Sequence, residues 1–333
     1  MRIQREELKE IFKKNLMKRG FNEFYAGEAA EVFTQNSLDG IYSHGCNRFP
    51  KVMGLLDSKE IDPTALATCE MQLGAWERWD GHRGLGLLNA RLAMSRACEL
   101  AKEHGIGLVA LGNNNHWMRG GTYGWQAADA GCIGICWSNT KPNMPIWGGK
   151  DACIGNNPFV FAAPRSNGAH VVVDCAVSQF SYGKLEEYRM KNTPLPVPGG
   201  YDKQGNITQD AGAVYESKRV LPMGYWKGSG ISVLLDVIGT MLTAANSVSD
   251  IGGFGKEVGL SQIMIAIDPM KASSAQEIDA IADKILVDIA NKEVAEGFDR
   301  IYYPGELELC TRRDNEENGI PILDEVWEKL QKL

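Results

Sequence analysis

The sequence predicts an α/β fold in which helices cover a sheet, together with a smaller helical domain. Short apolar runs that are typical of buried strands recur between residues 105 and 268. Helical patterns alternate with several of these runs, which favours a sheet with both faces covered. The first 60 residues show helical patterns and a polar turn instead.

The composition is that of a globular protein with one large domain or two ordinary ones. Of the 333 residues, 44% are hydrophobic and 23% are charged. We expect a helical segment over residues 1–70, joined by C-terminal helices over 305–333, and an α/β domain over 71–304. The net charge of −7 argues against nucleic acid or a membrane as partner, because both favour clustered Lys and Arg.

Helices open the chain. Apolar residues at helical spacing predict a helix over residues 5–19, which Gly20 ends. Further helices are predicted over 23–38 and near 48–57, with the turn-rich stretch IYSHGCNRF between them. The charged N-terminus lacks the apolar region of a secretion signal, so we expect a cytoplasmic protein. The eight scattered cysteines form no CxxC pair, so neither a disulfide framework nor a metal site is expected.

The sheet domain follows. Apolar runs predict strands at 105–111, 132–138, 159–164, 170–176 and 261–268. Helices are predicted near 87–101, 121–130, 229–245 and 275–296, with two more at the C-terminus. The helix at 229–245 is strongly apolar but too short to span a membrane, so we expect it to be buried in the core. The polar stretch 190–215 predicts a long surface loop, and the Gly-rich stretch 251–255 predicts a turn.

The common phosphate-binding signatures are missing. The segment that begins at Gly84-Leu85-Gly86 lacks a third glycine and follows no clear strand, so the fold is not predicted to be a classical Rossmann fold. Lys227 stands beside the start of the apolar helix, where unpaired amides and the helix dipole favour a pyrophosphate. The alternative is a solvated lysine at an ordinary helix start.

His44 is the first candidate for catalysis. A histidine titrates near neutral pH and can protonate a carbonyl oxygen while hydride reaches the carbon. Arg48, four residues later, can grip a carboxylate through two parallel hydrogen bonds, and Ser43 could orient the imidazole. The alternative, a structural histidine in a loop, stays open.

His116 is the second candidate. It follows three asparagines directly after a predicted strand, and ligands of open α/β sheets gather at the carboxyl ends of strands. These side chains could read the hydroxyl groups of a substrate, or they could satisfy the backbone of a turn. No clustered metal ligands and no G-x-S-x-G element accompany either histidine.

Five stretches resemble one known family. The strings are YSHGCNRFP, GIGLVALGNNNHWMRGGTYGWQAA, IGICWSN, FSYGKLE and LPMGYWKGSGISVLLD. They resemble the malate/L-lactate dehydrogenase family, which lacks the classical Rossmann fold, and the resemblance extends over essentially the whole chain. It implies an NADH-dependent oxidoreductase, with NADPH as the other possible cofactor. The implied reaction delivers hydride to the C2 ketone of 2,3-diketo-L-gulonate, with His44 as proton donor, and the implied assembly is a homodimer.

The resemblance also implies where the cofactor binds. The implied contacts are His170, Val171, Val172, Val173, Asp174, Cys175, Ala176, Trp226, Lys227, Gly305, Glu306 and Leu307. At the last of these segments the chain departs from its relatives, which carry a His-Glu pair where this sequence reads Glu306-Leu307. The α/β domain is therefore expected to be the cofactor-binding and catalytic domain.

Two other functions remain as alternatives. One is a sister oxidoreductase that acts on malate, lactate, ureidoglycolate or a cyclic imino acid. The other is a non-catalytic protein that binds a sugar acid. In the preferred reading, Arg48 binds the carboxylate of the keto acid, and His116 binds its hydroxyl groups.

Overall fold

A computed structural model describes all residues, 1–333. The helices are α1 (Arg5–Met17), α2 (Glu23–Leu38), α3 (Phe49–Asp57), α4 (Gly86–His104), α5 (Gly121–Asp129), α6 (Tyr182–Lys191), α7 (Ala211–Ser217), α8 (Trp226–Thr243), α9 (Val248–Gly253), α10 (Ala275–Ala290), α11 (Glu306–Asn318) and α12 (Asp324–Gln331). Single 3₁₀ turns lie at Tyr42–His44 and Pro269–Lys271.

The strands are β1 (Arg2–Ile3), β2 (Thr68–Leu73), β3 (Trp76–Asp80), β4 (Ile106–Asn114), β5 (Ile133–Ser138), β6 (Met144–Pro145), β7 (Ala152–Ile154), β8 (Phe159–Ala163), β9 (Val171–Cys175), β10 (Gly200–Tyr201), β11 (Ile207–Thr208), β12 (Leu260–Ile267) and β13 (Ile320–Pro321). Seven of them form the main sheet in the order β2-β3-β4-β12-β5-β8-β9. Only β3 and β4 pair in parallel, and the other neighbours are antiparallel. The predicted α/β class without a classical Rossmann fold is confirmed, with a mixed sheet.

Helices cover both faces of this sheet. Helices α4 and α5 pack on one face, and α8 packs on the other against β12, β4 and β5. Small side chains allow the close approach of α4: a Cβ at Gly107 would lie 2.1 Å from the carbonyl oxygen of Ala97. The layered arrangement places the ends of β4 and β9 beside the helical part of the chain.

The two ends of the chain share one hydrophobic core. Phe12, Phe33 and Phe49 from the first three helices pack ring against ring, with centroids 4.2 Å and 5.1 Å apart around Phe49. Ile320 and Leu330 from the C-terminal segment are buried in the same cluster. Ile3 pairs with Ile320 between β1 and β13, which ties the termini together. The division at residues 70 and 304 stays a prediction, and this packing supports it.

The structure corrects the expectation for the apolar helix. Helix α8 was expected to be buried in the core, but its fully buried residues are small ones such as Gly228, Ser232 and Gly239, and Leu235 and Leu242 are only partly buried against the sheet. Its other large apolar residues lie on the open side, where Leu234 is 58% and Met241 is 74% exposed. A helix on the outside of a three-layer fold can bury only one side, so a wholly apolar helix leaves the other side bare.

Three other expectations also differ from the structure. Strands β2 and β3 were not predicted, because β2 is largely exposed and β3 is a short half-buried strand with three charged residues among its five, so both lack the apolar pattern of the inner strands. The stretch 190–215 is no simple loop: it contains β10 and β11, and Leu195, Ala211 and Val214 form a small core of their own. The predicted turn at 251–255 begins inside α9, which Ser247 caps. None of the helices has the length and apolar character needed to cross a membrane.

Candidate active site

The loop that carries His44 is fixed against α2. The side chain of Asn36 donates a hydrogen bond of 3.1 Å to the carbonyl of His44, and the amide of Cys46 donates to Ser37 Oγ at 2.8 Å. A Cβ at Gly45 would lie 2.2 Å from Ser37 Oγ, so only glycine lets the loop approach this closely. The glycine of the Ser-His-Gly sequence is thus required by packing, and the imidazole of His44 is half-buried.

A backbone hydrogen bond also sets the tautomer of His116. The amide of Met118 donates to Nδ1 of His116 at 3.0 Å, so Nδ1 is an acceptor and the proton of the neutral ring lies on Nε2. Met118 adopts a left-handed conformation with φ of 67°, which is costly for a non-glycine residue. His116 therefore presents a fixed N–H donor.

Of the three asparagines before His116, two are used in hydrogen bonds within the protein and one has an unused acceptor. Asn114 is buried and donates to Gln262 at 2.8 Å and to the carbonyl of Gly86, so it holds the loop to β12. Asn113 donates to Asp80. Asn115 uses its amide nitrogen on two backbone carbonyls, while its buried Oδ1 has no donor. Of the three asparagines, Asn115 is thus the one with a free acceptor.

His44 and His116 lie together. Their rings stack with centroids 5.8 Å apart and planes 15° apart. Burial, followed by the charges of His116, Arg48 and Arg119, lowers the pKa of His44 to about 3, although Glu257 opposes the shift. Burial, followed by Arg48 and Lys51, lowers the pKa of His116 to about 3. Both rings are therefore neutral near pH 7 when no anion is bound.

A cavity of about 240 Å³ is lined by His116, on whose ring the ring of His44 stacks. Its charged and polar lining includes Arg48, Lys51, Asn115, His116, Lys141, Lys256, Glu60 and Glu257. Lys256 is paired with Glu60 at 3.1 Å, whereas Arg48, Lys51 and Lys141 form no salt bridge. Burial lowers the pKa of the Arg48 guanidinium, and Glu257 counteracts this. The cavity therefore has an excess of positive charge and suits a small anion.

Sequence reasoning missed a buried ion network next to this cavity. Arg119 binds Asp39 at 2.5 Å, and its Nε lies 3.8 Å from Asp174. Arg312 from α11 also binds Asp39, at 2.7 Å. The arginine in NHWMRGG was a visible signal, but its partners are distant in sequence and could not be assigned from local patterns.

The segments expected to bind a cofactor are brought together along β9. At its start, the amide of Val172 donates to the carbonyl of Pro304 at 2.9 Å, and Gly305 has a φ of 93°. After its end, the amide of Met223 donates to the carbonyl of Val177 at 2.8 Å. Strand β9 thus has the loop before Glu306 at its start and the turn before Trp226 near its end.

Individual side chains in these segments differ in their availability. The ring of His170 is buried and already used, since Nδ1 accepts from the amide of Arg165 and Nε2 lies 2.9 Å from Asp129. Glu306 is held by Arg300 and accepts from the amide of Tyr303. Leu307 is exposed. The roles expected for these residues stay predictions, and His170 could contribute only through its backbone.

The start of α8 fits a phosphate-bearing aromatic molecule. Lys227 is exposed at the first turn of this 18-residue helix, and no acidic residue shares that turn. Trp226 is 61% exposed, and the ring of Tyr225 is tilted by 56° against that of Trp147 with centroids 5.0 Å apart. At the other end of β9, the buried indole N–H of Trp125 has no acceptor. These unused cationic, aromatic and donor groups are compatible with a dinucleotide.

The donor set offers no metal centre, because no three His, Cys, Asp or Glu side chains are placed to hold an ion. The chain belongs to the malate/L-lactate dehydrogenase family, whose model matches residues 3–331. This family membership, together with its similarity to curated reductases, makes it an oxidoreductase that acts on CH–OH and keto groups.

Several relatives are similar over their whole length. A 2,3-diketo-L-gulonate reductase from Citrobacter koseri is 45% identical over 334 residues, which cover 100% of each chain. An Escherichia coli protein of the same name is also 45% identical, with the same coverage. Among solved structures, the malate dehydrogenase of Entamoeba histolytica superposes with a TM-score of 0.93 at 25% identity, covering 100% of this chain and 96% of that one. The sulfolactate dehydrogenase of Methanocaldococcus jannaschii gives 0.89 at 29% identity, with the same coverage.

Proposed function

We propose that this protein reduces 2,3-diketo-L-gulonate to 3-dehydro-L-gulonate with NADH as the hydride source and His44 as the proton donor. The observation that carries the proposal is the cationic cavity beside the stacked rings of His44 and His116. The identity of 45% to reductases of this name over the whole chain supports the choice of substrate.

Arg48 is the group that holds the substrate carboxylate. It lines the cavity and forms no salt bridge with the protein, so its guanidinium is free to bind two carboxylate oxygens. A bidentate pair fixes the orientation of a planar keto acid as well as its position. The C2 carbonyl is then directed toward the two histidines.

The substrate itself prepares His44 to act as an acid. Without an anion, the charges of Arg48 and Arg119 contribute to the low pKa of His44. A bound carboxylate offsets the positive charge of Arg48, so the pKa of His44 rises and the ring takes up a proton. His44 then donates this proton to the C2 oxygen, and the fixed Nε2–H of His116 donates a hydrogen bond to a neighbouring substrate oxygen.

The nicotinamide cofactor, when bound, supplies the hydride that reduces C2. The residues that would hold it are the segment 170–176, Trp226 and Lys227, and the segment 305–307. Lys227 would bind phosphate oxygens at the start of α8, where the helix dipole adds to its charge. NADH is the proposed cofactor, and NADPH is the alternative to be compared.

We also propose that the protein acts as a homodimer. The open side of α8 carries Ile231, Leu234, Val237, Ile238 and Met241, each at least 37% exposed. A continuous apolar face of this kind is costly in water, and a second copy of the chain would cover it. The eight cysteines are all free, which fits the reducing cytoplasm.

The test is a substrate panel assayed with NADH and with NADPH. It contains 2,3-diketo-L-gulonate, oxaloacetate, pyruvate, the oxidation product of ureidoglycolate and a cyclic imino acid. The proposal expects the highest kcat/KM for 2,3-diketo-L-gulonate with NADH. A higher value for another substrate would assign the chain to a sister activity, and binding without any cofactor oxidation would indicate a sugar-acid binding protein.

A further inference from the structure

Arg119 joins three separate parts of the molecule. Its side chain is only 3% exposed and lies between the His116 loop and the start of α5. It meets Asp39 at the end of α2, Asp174 in β9 at 3.8 Å, and Glu308 in α11 at 4.0 Å. One guanidinium thus contacts the element before the His44 loop, the strand expected to bind the cofactor, and the helix that follows Gly305.

The glycine at position 121 makes room for these contacts of Arg119. The amide of Gly121 donates to Asp174 at 2.7 Å. A Cβ at Gly121 would lie 2.9 Å from Asp174 Oδ2 and 3.0 Å from Arg119 Nε. Gly121 therefore leaves the space in which strand β9 approaches the His116 loop.

Stability alone is a weak reason for such a network. Removing charges from water carries a large free-energy cost, and a buried ion pair is often no more stabilising than apolar residues of the same volume. Arg312 already neutralises Asp39 through two hydrogen bonds, at 2.7 Å and 3.1 Å. A second buried arginine on the same carboxylate calls for another role.

Arg119 also lies close to the His44 loop, because it binds Asp39 at the end of α2, and Asn36 of the same helix donates a hydrogen bond of 3.1 Å to the carbonyl of His44. From this position its charge acts on His44. Burial, His116 and Arg48 are the larger causes of the low pKa of His44, Arg119 adds to them, and Glu257 opposes them. Arg312 binds the same Asp39 but is not among the leading causes of the low pKa of His44. The two arginines thus share a partner and differ in what else they face.

We propose that Arg119 is a positioning residue of the reduction, which holds β9 and its cofactor contacts in register with the His44 loop and acts on His44 through its charge. The first part of this inference rests on the proposed function. The second part, the electrostatic action on His44, is independent of the cofactor.

The experiment compares three variants, Arg119→Lys, Arg119→Met and the matched control Arg312→Met. The dissociation constant of NADH is measured by calorimetry. The titration of His44 is followed by NMR of the five histidines, assigned with His44→Gln, down to the lowest pH at which the protein stays folded.

The two variants of Arg119 distinguish the effect of its charge from the effect of its side-chain geometry. Lysine keeps the charge but cannot contact two carboxylates in a fork, so Arg119→Lys weakens NADH binding about tenfold and leaves the titration of His44 in place. Arg119→Met weakens NADH binding and also raises the titration midpoint of His44. Arg312→Met loses stability but changes neither readout.

The proposal is overturned if Arg119→Lys binds NADH as the wild type does, or if Arg312→Met moves both readouts as far as Arg119→Met. The lysine variant decides the first part if the methionine variant fails to fold, and a titration midpoint of His44 that shifts in Arg119→Lys contradicts the second. A wild-type protein that binds no NADH would contradict the proposed function, while the titration of His44 would still decide the electrostatic part.

Discussion

The rings of His44 and His116 stack 5.8 Å apart, although the two residues come from different layers of the fold. The two rings are held differently: Nδ1 of His44 lies 3.1 Å from Ser43 Oγ in a loop fixed by the packing of Gly45 on α2, whereas Nδ1 of His116 accepts from the amide of Met118. The pair combines one imidazole that can gain a proton with one that is fixed as a donor. This division of roles leads to the first prediction.

Replacing His44 by alanine should remove the acid and leave NADH binding intact. General acid catalysis contributes about a hundred- to ten-thousand-fold, so kcat should fall within that range. Steady-state turnover and NADH calorimetry on the same preparation check this. Retention of more than about a tenth of the turnover would exclude His44 as the proton donor.

Arg48→Lys tests whether the cavity recognises a carboxylate. Lysine keeps the charge but lacks the forked pair of donors. The loss of kcat/KM against the keto acid should therefore correspond to about 1–3 kcal/mol of activation free energy, the scale of a charge-assisted hydrogen bond. An analogue with a neutral amide in place of the carboxylate should be affected much less. Equal losses on the acid and the amide would mean that Arg48 supports the loop and does not bind substrate.

Lys227→Ala should weaken NADH binding more than keto-acid binding. The reason is that Lys227 adds its charge to the dipole at the start of α8, where phosphate oxygens are favoured. Lys218 lies outside the segments expected to bind the cofactor, so Lys218→Ala provides a matched loss of one charge. If calorimetry finds the same NADH affinity in both variants, Lys227 is a solvated lysine and does not bind the cofactor.

Acid should destabilise the ligand-free protein partly through the two histidines. Their pKa values lie near 3 in the fold, against 6.5 as the ordinary value, so the unfolded chain binds more protons between these limits. The free energy of unfolding therefore decreases as the pH falls from about 6.5 toward 3. In His44→Gln and His116→Gln this decrease should be shallower, as measured by denaturant titrations at several pH values. A slope equal to that of the wild type would show that neither ring is held neutral.

Sequence patterns identified the reacting groups better than the groups that support them. His44, Arg48 and His116 were found by residue type and by their position after a helix or strand, and the inner strands were found by their apolar runs. Arg119, Asp39 and Asp174 were not assigned roles together, because their contacts depend on tertiary packing across 80 and 53–55 positions of sequence. The open side of α8 was misjudged because periodicity cannot show whether an apolar helix is covered by its own chain or left for a partner.

The central claim is that hydride from NADH reaches C2 of a 2,3-diketo acid. The most direct measurement uses 2,3-diketo-L-gulonate and NADH that carries deuterium at the transferred position of the nicotinamide ring. NMR and mass spectrometry of the product should find one deuterium on C2 of 3-dehydro-L-gulonate, and at least about a hundredfold less of this labelled product when His44→Ala replaces the wild type for the same short reaction time. Deuterium at another carbon, or oxidation of the cofactor without deuterium in the product, would contradict the account.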